Sequence, residues 1–226
     1  MSLPERAEPR LLLVDHEQSF VRRDGGPAVF KSGDNVACAV ISYPQRGPLR
    51  SDGLPTLAVS YVRSRVPRPR RIQKIQSVCA ACTTLRTLEH ALVSKNFFKA
   101  RIRCRVHNIQ HGPNEVESAV NAVSVSLLQS AFDIKDVIAA VAYTQNHLGQ
   151  DVFFPTETML KDSKLNKRPR FQFHFDMNLR TVWLSVRGPA SVEATKRAEN
   201  VCREAASTVF AEIRRCATGP LVQPSA

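Results

Sequence analysis

Six cations crowd one short stretch of the chain: Arg63, Arg65, Arg68, Arg70, Arg71 and Lys74. Between residues 53 and 88 there are seven Lys or Arg residues, these six and Arg86, and no acid. A guanidinium fork matches the oxygens of a phosphate, and Pro67 and Pro69 favour an extended backbone through the run. That combination points to contact with the backbone of a nucleic acid. Tyr61 is the one aromatic residue beside these cations, so base stacking is not expected, and binding is predicted to be salt-dependent and indifferent to sequence. A second basic set, Arg101, Arg103 and Arg105, alternates with Ile102, Cys104 and Val106. It predicts a half-buried strand with a basic outer face, fit for RNA or for an acidic neighbouring subunit.

Other chemistry-bearing residues read as structural. Cys79-Ala80-Ala81-Cys82 lies inside a helical pattern, and no second Cys or His pair stands at zinc spacing. His16, His107 and His111 have no nucleophile constellation around them. Trp183 sits on an alternating strand, a position for packing or an interface. No phosphate-binding P-loop or dinucleotide glycine motif is present. Neither a cofactor nor a metal is expected.

The elements that must position these residues follow from periodicity and turn chemistry. Strands are predicted at 10–15, 19–22, 28–31 and 36–43, with Ser32-Gly33-Asp34-Asn35 turning the last two into a hairpin, and a further strand at 56–66. A helix follows, its apolar stripe Ile72, Ile75, Cys79, Cys82, Leu85 and Leu92. After the strand at 99–110 comes a helix to about residue 131, with Val116, Val120, Val123 and Leu127 on one face. Strands at 136–144, 151–154, 170–176 and 179–187 precede a final helix capped by Ser191, with Val201, Ala205, Val209 and Ile213 as its stripe. Phe171, Phe173 and Phe175 share a strand face, and Lys161–Arg170 is a basic loop or edge. The blocks repeat in plan, so the expectation is a single α/β (α+β) domain of mixed sheets packed with helices and an internal pseudo-duplication. It spans 10–217, with a flexible leader at 1–9 and a tail at 218–226.

Composition narrows the class. The 226 residues carry 32 Lys plus Arg against 20 Asp plus Glu, a formal charge of +12, and the pI is near 9.9. A polyanionic partner fits that excess. A hydrophobic share of 43% excludes a disordered chain. No apolar run is long enough to span a membrane, and the first ten residues lack a signal-peptide core, which predicts a non-secreted protein with its six cysteines reduced.

Four stretches in order resemble the RNase PH superfamily, in particular the small ring subunits of the eukaryotic exosome. Arg23-Asp24-Gly25-Gly26-Pro27-Ala28-Val29-Phe30-Lys31-Ser32-Gly33-Asp34-Asn35-Val36 is similar to the family's Arg-x-Asp-Gly-Ser-Ala-x-Phe-x-x-Gly-Asp-Thr-x-Val pattern. Residues 70–92 resemble its first helix after a basic turn, Asn121-Ala122 its Asn-Ala-Ala run, and Phe154-Pro155-Thr156 its Asp-Pro-Thr. The resemblance implies pairing with relatives into a six-membered ring around an RNA channel, with the Arg-Arg turn at Arg70 and Arg71 lining that channel.

It also implies where phosphorolysis would occur. Active relatives hold the attacking phosphate on a Gly-(Thr/Ser)-Arg-Thr turn; the matching residues here are Asn114, Glu115, Val116 and Glu117. Valine replaces the arginine, and carboxylates replace the flanking hydroxyls. Two unit charges about 4 Å apart interact with roughly 4 kcal/mol at an effective dielectric near 20. A millimolar ligand is held by only about 4 kcal/mol, so one carboxylate facing the pocket offsets the binding. The family's acidic pair, six residues apart, falls on Phe154 and Leu160 in the Pro-Thr register, or on Asp151 and Glu157 in an alternative register.

The resemblance therefore implies a non-catalytic ring subunit that scaffolds the assembly and lines the channel for 3′→5′ RNA processing and degradation. Its implied partners are other RNase PH-type exosome subunits in a hetero-hexameric ring, RNA-binding cap subunits, RNA and exosome-associated hydrolytic nucleases, with no membrane. Its implied places are nucleus, nucleolus and cytoplasm. A phosphate-dependent 3′→5′ exoribonuclease, and a basic RNA-binding protein outside the exosome, are the alternatives.

Overall fold

The computed structural model describes residues 27–42, 45–46, 55–63, 70–92, 100–130, 132–146, 148–161 and 168–218. The expected strands at 10–15 and 19–22, the leader and the tail lie outside them.

The first half begins with a hairpin of β1 (Ala28–Ser32) and β2 (Asn35–Ile41), in which Ser32 pairs with Asn35 around a two-residue loop. β3 (Gln45–Arg46) and β4 (Thr56–Arg63) follow. α1 (Arg70–Ala91) then crosses over to β5 (Ala100–Gln110), which runs parallel to β4; a parallel pair requires such a crossover. β5 is the spine of this sheet, since β2, β3 and β4 all pair with it. Its alternation is that of the sequence: Ile102, Cys104 and Val106 are buried, and Arg105 is exposed.

α2 (Glu115–Leu128) starts the second half. It is buried around nearly its whole circumference, as a helix enclosed by other elements must be. β6 (Ala139–Gln145), β7 (Asp151–Phe153), the one-turn α3 (Glu157–Lys161), β8 (Arg170–Phe175), β9 (Thr181–Arg187) and α4 (Val192–Thr218) complete the chain. The second sheet is antiparallel, in the order β7-β6-β8-β9. The rings of Phe171, Phe173 and Phe175 stack along one face, centroids 6.2 and 5.7 Å apart. They belong to the same core as Ala139, Val141 and Tyr143 of β6 and Cys202, Ala205, Val209 and Ile213 of α4. On the other face His174, wholly buried, lies 4.7 Å from the Trp183 ring, and burial pushes its pKa down to about 3. The fold is thus the mixed α/β type expected, two sheets with four helices among the described residues. The halves share a sheet-then-helix plan and differ in that, among the described residues, only the first contains a parallel crossover.

The buried face of α1 differs from the expected stripe. Ile75, Cys79 and Cys82 are exposed, while Ala80, Thr84, Thr87, Leu88 and Ala91 face the core. The Thr84 hydroxyl donates to the Ala80 carbonyl at 2.9 Å and that of Thr87 to the Thr83 carbonyl at 3.1 Å. Each thus meets its hydrogen-bonding need inside the helix and leaves a methyl for packing. All six cysteines are free thiols, with Cys104, Cys202 and Cys216 buried.

Two sets of polar side chains tie helices to the second sheet. Beyond the reach of β7, the edge of β6 is closed by Asn121 of α2, whose side-chain amide donates to the Ala140 carbonyl at 3.1 Å and accepts from the Ala140 N–H at 2.8 Å. Ser124 donates to the Ile138 carbonyl one residue pair away. Asn121 therefore acts as a piece of strand carried by a helix. His90, Asp136 and Asp176 also converge, with one ligand atom each within 4.8 Å. Their carboxylates close turns: Asp136 accepts from Val137 and Met177 N–H, and Asp176 from Asn178 and Arg180 N–H.

Removing the Asn121 amide leaves a buried N–H and C=O of Ala140 without partners, at about 1–3 kcal/mol each. Asn121→Ala is expected to destabilise the protein by roughly 2–4 kcal/mol, read as a lowered midpoint in urea unfolding with an unchanged slope.

Candidate functional site

The N-terminus of α2 is built by the turn between β1 and β2. Gly33 has φ +60, and a Cβ there would stand 2.9 Å from the Phe154 carbonyl oxygen and 3.1 Å from Asn114 Nδ2. Only glycine meets both demands. The next two residues hold what that approach brings close. Asp34 accepts from the Glu157 N–H at 2.9 Å, at the start of α3. Asn35 accepts from the Asn114 N–H at 2.7 Å, and Asn114 Nδ2 donates to the Pro155 carbonyl at 3.1 Å. Asn114 is buried, so its side chain is a clamp and not a wall of the site.

Beside this clamp lies a cavity of about 310 Å³, lined by residues of both halves including Arg63, Cys79, His111, Glu115, Val116, Glu157, Leu160, Arg170, Gln172 and Arg187. Val116 brings no charge to the cavity wall. Glu115 points into the cavity, but its carboxylate is held on both sides: Arg63 pairs with one oxygen and His111 with the other. Arg63 also donates to Gln76 of α1. The Glu115 charge is thus matched within the protein and sits at the helix N-terminus, where an anion is favoured.

Glu117 is wholly buried. Burial pushes its pKa up to about 7, against the opposing pull of its own backbone N–H, Arg187, Gln172 and Arg170. Burial likewise raises the Tyr61 phenol; its hydroxyl lies 3.5 Å from the Glu115 carbonyl.

The other residues singled out from sequence divide as follows. Arg63 lines the cavity with its guanidinium committed to Glu115 and Gln76. Lys74 is exposed on α1. Arg70 and Arg71 open that helix, with side chains outside the described set, and Arg65 and Arg68 lie outside it entirely. Arg101, Arg103 and Arg105 are on the outward face of β5, away from the cavity. Of the Pro-Thr register, Leu160 lines the cavity and Phe154 does not. Phe154 is buried in a left-handed conformation, φ 46. Of the alternative register, Glu157 lines the cavity, 3.4 Å from Lys161. Asp151 is elsewhere, accepting from the Tyr143 hydroxyl at 2.6 Å and from Gln145 at 3.2 Å. Neither register brings two carboxylates into the cavity.

Two cavity residues were missed in the sequence. Arg170 and Arg187 stand directly opposite each other on β8 and β9. The turn-side register alone would set Arg170 opposite Val186; the register shift between His174 and Phe175 moves it opposite Arg187, and the sequence carried no signal for that shift.

Comparison with solved structures gives the class. The fold matches that of rice (Oryza sativa) Rrp46 with a TM-score of 0.73 at 14% identity, covering 87% of this chain and 90% of that one. It matches a chain of the Archaeoglobus fulgidus exosome with RNA bound to the active site (0.69, 12%, 85% and 84%) and one of an archaeal exosome core (0.68, 13%, 85% and 82%). Two sheets around a buried helix are thus a fold shared with these chains. The sequence model of that family, described as "3' exoribonuclease family, domain 1", matches residues 13–133. The chain belongs to the RNase PH family. No curated protein sequence matches it.

The raised pKa of Glu117 has a consequence for stability. The unfolded chain loses this proton near pH 4.5 and the folded protein near 7. Folding is therefore penalised progressively as pH rises between those values, and the penalty is complete above them. Glu117→Gln is expected to raise stability at pH 8 by roughly 2–3 kcal/mol and to change it little at pH 4, read from urea unfolding at the two pH values.

Proposed function

We propose that this chain is a non-catalytic RNase PH-type subunit of an exosome core ring, a scaffold that presents positive charge to RNA passing through the channel. The observation that carries this reading is Glu115. A phosphorolytic enzyme must seat orthophosphate against N–H groups and a cation, and here the helix N-terminus is occupied by the protein's own carboxylate, locked between Arg63 and His111. The position of the phosphate arginine is Val116, and the cavity's carboxylate besides Glu157, that of Glu115, is committed to Arg63 and His111 rather than to a divalent ion.

The RNA-facing role falls to the cations before and at the start of α1: Arg65, Arg68, Arg70, Arg71 and Lys74. Arg101, Arg103 and Arg105 form a separate outward face, for RNA or an acidic neighbouring subunit. In this reading the partners are other RNase PH-type subunits, RNA-binding cap proteins and a hydrolytic nuclease that receives the threaded RNA, in nucleus, nucleolus and cytoplasm. The net charge of +12 and the fold shared with exosome subunits support it.

Intact-mass measurement of the assembly from its native source is expected to give a mixed ring of several RNase PH-like chains. A homo-hexamer that releases nucleoside diphosphates only when phosphate is added establishes the phosphorolytic enzyme instead, and a monomer overturns both. Within the ring, replacing Arg68, Arg70 and Arg71 by Glu is expected to weaken single-stranded RNA binding roughly tenfold or more at 0.1 M salt, with the assembly mass unchanged. Unchanged RNA affinity removes these residues from the channel.

A further inference from the structure

Away from the cavity, three metal-ligating side chains meet where the first half joins the second: His90 in the last turn of α1, Asp136 in the segment leading into β6, and Asp176 directly after β8. One ligand atom of each lies within 4.8 Å of the other two. His90 Nε2 stands 4.0 Å from Asp136 Oδ2. None of the three lines the cavity.

The backbone holds them in place. The Ala91 carbonyl at the end of α1 accepts from the Lys135 N–H at 2.6 Å and from the Asp136 N–H at 3.3 Å, and Leu92 bridges Ile134. Asp136 Oδ1 accepts from the Val137 and Met177 N–H groups, and Asp176 Oδ1 from those of Asn178 and Arg180. Each carboxylate is thus clamped through one oxygen. Among the described residues no hydrogen bond is given to the other oxygen of either. Outer hydrogen bonds orient metal-binding carboxylates in the same manner.

The charge of this pair is also uncompensated. Asp176 is 6% exposed and the Asp136 side chain 11%. Two carboxylates so close together and so far from water repel each other. The chain has 32 Lys and Arg residues, yet among the described residues none pairs with either carboxylate. Lys135 and Arg180, the cations nearest in sequence, are exposed. What faces the pair is the His90 imidazole, its side chain 32% exposed, at the C-terminal end of a helix, where the dipole favours positive charge.

We propose that His90, Asp136 and Asp176 bind a divalent transition metal of the zinc class, and that the ion clamps the end of α1 to the second sheet. One imidazole nitrogen and two carboxylate oxygens are zinc ligands, and the imidazole selects against magnesium and calcium. Donors bound to one zinc at about 2.0–2.2 Å stand roughly 3–3.5 Å apart. Closing the present spacing takes a movement of about an ångström, which rotation of the partly exposed His90 ring supplies. Water completes the shell on that open side. The ligands come from elements far apart in sequence, so no zinc-type spacing marks them. The site is independent of the RNA-facing role proposed above.

Zinc chloride is the probe, titrated by calorimetry into the full chain after removal of metal with a chelator. Cys79 and Cys82 are exposed thiols and the rival ligands, so the titration is repeated on Cys79→Ser/Cys82→Ser. That variant is expected to bind one zinc per chain with the affinity of the wild-type site, and zinc is expected to raise its melting temperature. Added to it, His90→Ala or Asp176→Asn is expected to weaken zinc binding at least tenfold. Asparagine keeps the oxygen that accepts the two turn N–H groups, and melting curves without metal establish that each variant is folded. Cobalt(II) in place of zinc is expected to give visible ligand-field bands without a thiolate charge-transfer band. Magnesium is expected to bind at least tenfold less tightly than zinc. Absence of zinc binding in the cysteine double variant overturns the proposal, as does unchanged affinity in folded His90→Ala or Asp176→Asn. A thiolate band in the wild type that disappears together with binding in the double variant assigns the metal to the cysteines and also overturns it. Equal affinity for magnesium overturns the assignment to a transition metal.

Discussion

Everything at the cavity depends on one turn. Gly33, Asp34 and Asn35 close a two-residue hairpin loop in the first sheet, and each of the three touches something distant. Gly33 lets the Phe154 backbone approach to a distance that any Cβ would forbid. Asp34 holds the first N–H of α3, and Asn35 holds the N–H of Asn114. The start of α2, the start of α3 and the segment between β7 and α3 are thereby fixed to one another before any cavity residue is considered. A hairpin suits this task because its register is pinned by the turn itself, so a shift of one residue would dislodge all three contacts together.

The second constraint is the burial of α2. A helix enclosed on all sides has no solvent to satisfy its polar groups, so each one needs a protein partner. Asn121 and Ser124 meet that need by bonding to the edge of β6, which also seals the edge where β7 ends. Glu115 meets it through Arg63 and His111. The hydroxyls of Ser118 and Ser126 are exceptions, and Glu117, the other acid of the first turn, sits within the field of Arg170 and Arg187 of the second sheet. Carboxylates at a helix N-terminus are ordinarily stabilising. Here one is neutralised by neighbours and the other has its pKa raised by burial, so the cavity is far less acidic than its sequence suggests.

The positive charge of the chain is correspondingly divided. Arg63, read in the sequence as part of one basic run, turns inward and is spent on Glu115 and Gln76, while Lys74 further along that run stays in solvent. Arg101, Arg103 and Arg105 share the outer face of β5. Arg170 and Arg187 form a third group, generated by the pairing of two strands.

The sequence by itself determined the order and kind of the longer described elements, though not the short β3 and α3, the hairpin at Gly33, the alternation of β5, the phenylalanine face of β8, the Ser191 cap of α4, whose hydroxyl accepts from the Ala194 N–H at 3.1 Å, and membership of a family recognisable from motifs in order. These are local properties: a period, a turn residue or a cap is written within a few neighbouring positions. Only the tertiary structure decided which face of α1 is buried, because two helical stripes fit the same period and the choice went to the threonine-containing one, whose hydroxyls bond within the helix. It also decided that Glu115 is paired, through an arginine 52 residues away. It placed Glu157 in the cavity and Asp151 outside it, although both lie within seven residues of chain, because α3 carries one to the cavity wall while β7 sets the other opposite Gln145, where it accepts from the Tyr143 hydroxyl. Charge type is legible in a sequence. Whether a charge is free, paired or held neutral depends on partners that only folding brings near.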